Sequence, residues 1–265
     1  MICTDSDRLI AKGGFGEVYR VEYGGHQLAQ KIIDQDLKQL SQVDIVNFFQ
    51  KVFKEINVMH LIATLQSERL LKIRGISFDI SKQRIASIAI YTDLMARDLN
   101  SCIKEGVQSL SKQRKVSIVK QITEGLRDMQ EAKLIHGDIK PQNILLDKQF
   151  NAKIADFGTV QLQQHSVTMV SGQDIVLTPL YAPPEYISQR IKNRGTDIWS
   201  LGGLVLKLFT GMQPYCDIQQ QFLVRHLVQG RESVFEHFVR SERCKEFVRE
   251  LDQEIKDIIE GCTYL

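Results

Sequence analysis

The hydrophobic pattern of this chain changes period partway along, and that change limits what it can fold into. Up to about residue 95 the apolar residues fall in short β-like runs with one helical interruption. Residues 17–23 and 27–33 read as two strands joined through Gly24-Gly25, a strong two-residue hairpin turn. A helical pattern follows over residues 43–65, and residues 70–78 and 84–92 read as two further strands. From Ser111 onward the pattern is mostly helical. Val119, Ile122, Leu126 and Met129 recur at spacings of three and four, which is one helix face. Thr196 and Asp197 stand before the apolar run 198–209, and either side chain is suited to cap that helix. Strands first and helices later imply an α+β architecture of two lobes, 1–95 and 96–265, joined near residues 93–98.

The rest of the composition excludes more than it selects. Lys+Arg number 34 and Asp+Glu 32, giving a formal charge of +2. Residues 1–95 carry 12 basic and 11 acidic side chains, so neither lobe is a basic surface and nucleic acid is not an expected partner. The five cysteines (Cys3, Cys102, Cys216, Cys244, Cys262) are odd in number, widely spaced and lack a C-x-x-C, which argues against a disulfide framework or a zinc site. The first ten residues lack an apolar signal core, and the run 198–209 contains Lys207 and is too short to span a bilayer. A cytoplasmic location is the expectation, with the nucleus open.

Several residues carry chemistry. The loop 11–19, AKGGFGEVY, sits between strand-like runs. Gly13, Gly14 and Gly16 would let its backbone approach a bound group and aim N–H groups at phosphate, although a flexible hairpin reads the same way. Lys31 ends a strand with Ala29 two residues before it. In the next helix Phe48, Val52, Glu55, Met59 and Ile62 form one stripe. A carboxylate inside an apolar stripe needs a partner, and Lys31 is the natural one; otherwise Glu55 lies at the stripe's edge in solvent. In HGDIKPQNILLD, residues 136–147, Asp138 is placed to accept a proton, Lys140 to neutralise phosphate and Asn143 to offer an amide oxygen to a metal. Asp156, in IADFGT, follows an apolar strand and suits a Mg²⁺ ligand. A polar loop turned at Pro141 and a β-turn aspartate are the plainer alternatives.

Taken in order, these segments resemble the eukaryotic protein kinases over nearly the whole chain. The Gly-rich loop, Lys31, Glu55, HGD, DFG, TPLYAPPE and DIWSLGG occur in the family's order with compatible spacing. The resemblance implies a bilobal kinase fold using ATP and Mg²⁺. Lys31 would meet the α- and β-phosphates and pair with Glu55. Asp138 would be the catalytic base, Lys140 would stabilise the γ-phosphoryl group, and Asn143 and Asp156 would hold Mg²⁺. Ala11, Gly13, Gly14 and Gly16 match the phosphate loop; Val18, Ala29 and Leu145 match the adenine sandwich. Asp93 to Met95 match the adenine-bonding hinge, with Thr92 behind it. Met59, Ile73, His136 and Phe157 match a stacked apolar column. Lys140, two residues after Asp138, and Thr178 resemble the serine/threonine kinases, so protein Ser/Thr hydroxyls are the implied acceptors. The loop sequences also resemble the tyrosine-kinase-like and receptor-like groups.

The departures from the family pattern carry expectations of their own. Ala11 replaces the first loop glycine, adding only a methyl group. Gly137 replaces the arginine of HRD, which implies an activation segment ordered without phosphate even if Ser166, Thr168 or Ser171 accepts one. Leu177 and Pro183 replace a glycine and an alanine. The resemblance stops near residues 262–265, implying that the final helices are missing and that Glu185 lacks its usual arginine, at a cost of roughly 3–5 kcal/mol unless Arg190 or Arg194 substitutes. The rival reading is a pseudokinase that binds nucleotide and scaffolds a partner. A metabolic small-molecule kinase fits less well, because TPLYAPPE resembles a peptide-binding loop.

Overall fold

A computed structural model of the chain describes residues 9–13, 16–33, 41–81, 84–163, 168–169, 179–230 and 232–263. The chain divides into two compact units, Met1–Ala96 and Arg97–Leu265.

In the first unit, β1 (Leu9–Gly13), β2 (Gly16–Tyr23), β3 (His26–Ile33), β4 (Ile73–Ser81) and β5 (Arg84–Asp93) form an antiparallel sheet ordered β1-β2-β3-β5-β4. Gly24 and Gly25 both have positive φ, 58° and 80°, as a tight hairpin with left-handed central residues requires. The helix α1 (Gln42–Thr64) is capped by Ser41, whose hydroxyl accepts from the Asp44 N–H. Its buried stripe is Val52, Ile56, Met59 and Ile62, so its centre runs through Ile56 and Glu55 lies at the margin. The strand expected from residue 70 begins at Ile73. Leu70 and Leu71 are buried but lie outside it, because an apolar run looks the same in a strand and in an irregular core segment.

The second unit is mainly helical. It opens with β6 (Arg97–Asp98), α2 (Leu99–Gly106) and α3 (Lys112–Glu131). Three short strands follow, β7 (Leu134–Ile135), β8 (Ile144–Leu146) and β9 (Ala152–Ile154), then β10 (Gln161–Leu162) and β11 (Thr168–Met169). The small sheets are β6-β8-β9, β10-β7 and, with β12 (Ile191–Lys192), β11-β12. Between β11 and β12 two prolines begin a helix. Pro183 is the N-cap and Pro184 the first residue of α4 (Pro184–Gln189), where a missing N–H costs nothing. The remaining helices are α5 (Arg194–Thr210), α6 (Gln220–Gly230), α7 (Val234–Arg240), α8 (Lys245–Arg249) and α9 (Gln253–Thr263).

The core of this unit is built on α5, whose residues from Leu201 to Leu208 are buried. Its Lys207 is buried too, and Nζ donates to Asn100 Oδ1 at 2.6 Å. Burial pushes that ammonium below its ordinary range, with nearby Lys104 adding to the effect. Two expectations are corrected here. The buried face of α3 runs through Ile118, Ile122, Leu126 and Met129, with Val119 only half-buried. The cap of α5 is Asn193, in a reciprocal capping box with Thr196, while Asp197 serves a different purpose described below.

Candidate active site

In the first unit the sheet register gathers the expected nucleotide residues on one face. Val18 and Ile90 stand opposite Lys31, and Arg20 and Thr92 stand opposite Ala29. Side chains directly opposite one another share a face, and positions two apart on a strand do so as well. Val18, Ala29, Lys31 and Thr92 therefore lie together. Lys31 Nζ is 2.7 Å from Glu55 Oε1, with the two side chains 25% and 13% exposed. The carboxylate at the stripe's margin is thus paired with the strand lysine.

Ala11 is exposed in β1 opposite Val18, and Gly13 ends that strand opposite Gly16. Gly16 has φ 124°, and a β-carbon there would fall 2.1 Å from the Ile32 carbonyl oxygen. The close approach of β2 to β3 therefore demands glycine whatever the loop binds. Gly14 lies outside the described residues, as do Ser166, Ser171, Leu177 and Thr178. The Asp93 carboxylate is taken up in a two-bond pair with Arg74, at 2.6 and 2.9 Å, so its backbone is the part left for hinge bonding. Met95 is half-buried just after β5, and Ile73 is half-buried at the start of β4.

The second unit brings the catalytic-loop residues together within hydrogen-bonding distance. The Asn143 amide donates to the Asp138 backbone oxygen at 2.8 Å and to Asp138 Oδ2 at 3.0 Å. With the amide hydrogens spent on Asp138, its Oδ1 is the atom left for a cation. Lys140 Nζ is 2.6 Å from Asp138 Oδ2, the side chains being 17% and 5% exposed. A short 3₁₀ turn, Pro141–Asn143, carries Asn143 back under Asp138, and the Ala155 N–H donates to the Asn143 backbone oxygen at 2.9 Å. Asp156 follows at once. It is exposed, with left-handed backbone (φ 66°, ψ 75°), and Phe157 beside it is fully buried. The turn thus drives the phenyl ring inward and the carboxylate outward. Leu145 is half-buried between the fully buried Ile144 and Leu146.

Groups distant in sequence hold this loop. Asp197 Oδ2 accepts the His136 N–H at 2.8 Å and Oδ1 accepts the Gly137 N–H at 2.7 Å. Burial pushes the Asp197 carboxyl up, opposed by His136, those two N–H groups and Lys192. The His136 ring stacks edge-on against Phe157, with centroids 5.8 Å apart. Its Nδ1 accepts the Asp138 N–H, so Nε2 carries the proton and donates to the Ala155 oxygen at 3.1 Å. Asp197 was read from sequence only as a possible cap. The signal that reassigns it is the N-x-x-T pattern at Asn193, which already supplies the cap.

Gly137 stands at φ 76°, and a β-carbon on it would lie 2.0 Å from Lys192 Cε and 2.2 Å from Nζ. Lys192 is 1% exposed. Its ammonium donates to the Thr159 oxygen at 2.8 Å and lies 5.2 Å from the centre of the Tyr186 ring. A cation from β12 therefore occupies the space that a side chain at position 137 would need. Sequence reading missed it, since Lys192 looks like an ordinary surface lysine. Glu185, half-buried in the first turn of α4, forms no ion pair among the described residues. Of the two arginines considered for it, Arg194 bonds Gln163 and Arg190 is exposed.

The first unit thus carries a paired strand lysine, and the second a carboxylate–amide–lysine cluster with an exposed carboxylate after β9. Comparisons with known proteins give the family. The serine/threonine-protein kinase pelle of Drosophila melanogaster is 29% identical over 212 residues, 78% of this chain and 41% of that protein. The G-type lectin S-receptor-like serine/threonine-protein kinase SRK of Arabidopsis thaliana is 32% identical over 215 residues, 78% of this chain and 23% of that protein. The serine/threonine-protein kinase TIO of the same plant is 27% identical over 223 residues, 83% of this chain. The chain spans between 16% and 41% of the lengths of these relatives. The family model for the protein kinase domain matches residues 5–265, and with it the chain belongs to the protein kinase domain family.

Proposed function

We propose that this domain is a catalytically active serine/threonine protein kinase that uses Mg²⁺-ATP, with protein hydroxyls as acceptors. The observation that carries the reading is the Asp138 cluster, a buried carboxylate contacted by both the Asn143 amide and the Lys140 ammonium. The donor chemistry fits the cofactor. Asn143 Oδ1 and the exposed Asp156 carboxylate are hard oxygen donors of the kind Mg²⁺ takes. Mg²⁺-bound ATP supplies the phosphoryl group and spreads its negative charge.

The chain's own residues do the rest. Asp138, held through its backbone by the His136 ring and Asn143, orients the acceptor hydroxyl and takes its proton. Lys140 neutralises charge on the transferring group, and Lys31, fixed by Glu55, neutralises phosphate charge in the first unit. The names of the relatives favour Ser/Thr over Tyr acceptors, in keeping with Lys140 two residues after Asp138.

The same reading includes activity that does not depend on phosphate in the segment after Asp156. Lys192 ties the Thr159 carbonyl, and β11 pairs with β12 through Thr168–Lys192 and Met169–Ile191. Phosphatase treatment should therefore leave activity within the same order of magnitude. Transfer of labelled phosphate from ATP to a generic Ser/Thr protein substrate tests the function directly. Activity lost in Asp138→Asn supports it; equal labelling by both forms overturns it.

A further inference from the structure

Outside the kinase site, the turn between α6 and α7 gathers three metal-binding side chains. His226 comes from α6, Glu232 from the connection and His237 from α7, and their donor atoms all lie within 4.8 Å of one another. Glu232 Oε2 is 3.2 Å from His226 Nε2 and 3.3 Å from His237 Nδ1. Zinc bonds of about 2.0–2.1 Å in a tetrahedron put neighbouring donors about 3.3–3.4 Å apart, so both separations match a tetrahedral edge. His226 Nε2 is buried and makes no hydrogen bond among the described residues, although the carboxylate oxygen lies beside it. The two atoms are thus close without a hydrogen bond between them.

The surrounding groups fix each donor. His237 Nε2 donates to Asp217 Oδ1 at 2.5 Å, whose other oxygen accepts from Ser241 at 2.6 Å; Nδ1, 3.3 Å from Glu232 Oε2, is the nitrogen left for a metal. A carboxylate behind a ligating histidine is the usual means of setting its tautomer. Arg240 donates to Glu232 Oε1 at 3.1 Å, leaving Oε2 for a metal. Tyr215 packs against both rings, with centroids 5.9 and 5.0 Å away.

We propose that His226, Glu232 and His237 form a zinc-binding site that clips α6 to α7, with one coordination position left for water or an outside ligand. Two imidazoles and one carboxylate suit zinc better than Mg²⁺ or Ca²⁺, which take oxygen donors. His226 is 31% exposed, so an ion can reach the site from solvent. This departs from the sequence expectation, which sought zinc through cysteine spacing; these ligands contain none. The competing account is a doubly protonated His237 held between Asp217 and Glu232, which leaves His226 unexplained.

The test is a Zn²⁺ titration of the chelator-treated, dialysed chain against a competing zinc dye. Excess Mg²⁺ is present to fill the oxygen-donor pair Asn143 and Asp156. The expected result is a single tight equivalent and a raised melting temperature. His226→Gln should weaken binding at least about tenfold and Asp217→Asn about 10–100-fold, while His60→Gln on α1 changes nothing. Co²⁺ should give visible d–d bands without a near-ultraviolet sulfur band, separating this site from Cys216 and Cys244, whose Sγ atoms are 2.7 Å apart nearby. No saturable Zn²⁺ binding, binding unchanged in His226→Gln, or a sulfur band would each overturn the proposal. None of these readouts depends on kinase activity.

Discussion

Lys31 is held by one carboxylate on one helix, and the pair is partly open to water. Asp138 is held by two neighbouring side chains and a histidine ring, and the backbone before it is clamped by Asp197 from 61 residues away. The first arrangement is a contact that can be lost while the sheet and α1 survive. The second is part of the core: His136, Ile139 and Ile144 are all fully buried around it. A partly exposed ion pair contributes little to stability, whereas buried N–H groups left without acceptors are costly. The contrast predicts that removing the Lys31–Glu55 pair spares the fold, whereas disturbing the Asp138 loop costs stability as well.

The largest expected effects are on turnover. Lys31→Met and Asp156→Ala should each abolish measurable phosphoryl transfer at saturating ATP while the thermal transition stays close to wild type. Both side chains have partly or fully exposed settings, so their loss spares the core while removing charge from phosphate and metal. Normal turnover in either variant breaks the assignment of that residue.

Next come effects on stability, which sharpen the contrast. Asp197→Ala leaves the His136 and Gly137 N–H groups without acceptors and should cost about 2–3 kcal/mol, read as a lower denaturation midpoint at unchanged slope. Glu55→Gln should cost less than about 1 kcal/mol, yet lose activity. If Glu55→Gln proves the more damaging to stability, the distinction between the two regions fails.

How much of this was legible beforehand follows the distance over which each feature is built. The Gly24-Gly25 hairpin, α1 and the Lys31–Glu55 pair arise from local pattern and a separation of 24 residues, and all could be read. The identity of Asp138 and Asn143 was carried by a contiguous motif. Asp197 was misread because any polar side chain near a helix start looks like a cap, and its true partners are 60 and 61 residues earlier. Lys192 and the His226–Glu232–His237 cluster were invisible because nothing local marks a lysine as buried or two histidines as neighbours. Likewise the buried Leu70 and Leu71 carried no sign that the strand starts at Ile73.

Smaller effects test the departures from the family pattern. Gly137→Arg should not raise activity. It places a side chain at φ 76° and displaces Lys192, costing about 1–3 kcal/mol in a denaturant melt. A stable, more active Gly137→Arg variant would remove Lys192 from its assigned place. Smallest of all, Ala11→Gly should leave ATP affinity within about a factor of four, since only an exposed methyl group is lost. A titration showing a much larger gain would make Ala11 a real impairment of the first unit.

The central claim is that the Asp138 cluster performs phosphoryl transfer, and intact mass measured after incubation with Mg²⁺-ATP tests it most directly. The wild-type chain should gain one or more phosphate units, on Ser or Thr, while Asp138→Asn, shown to be folded by a cooperative thermal transition, gains none. A wild-type chain that binds ATP yet acquires no phosphate and labels no protein substrate, or an Asp138→Asn variant that acquires as much as wild type, would contradict the account.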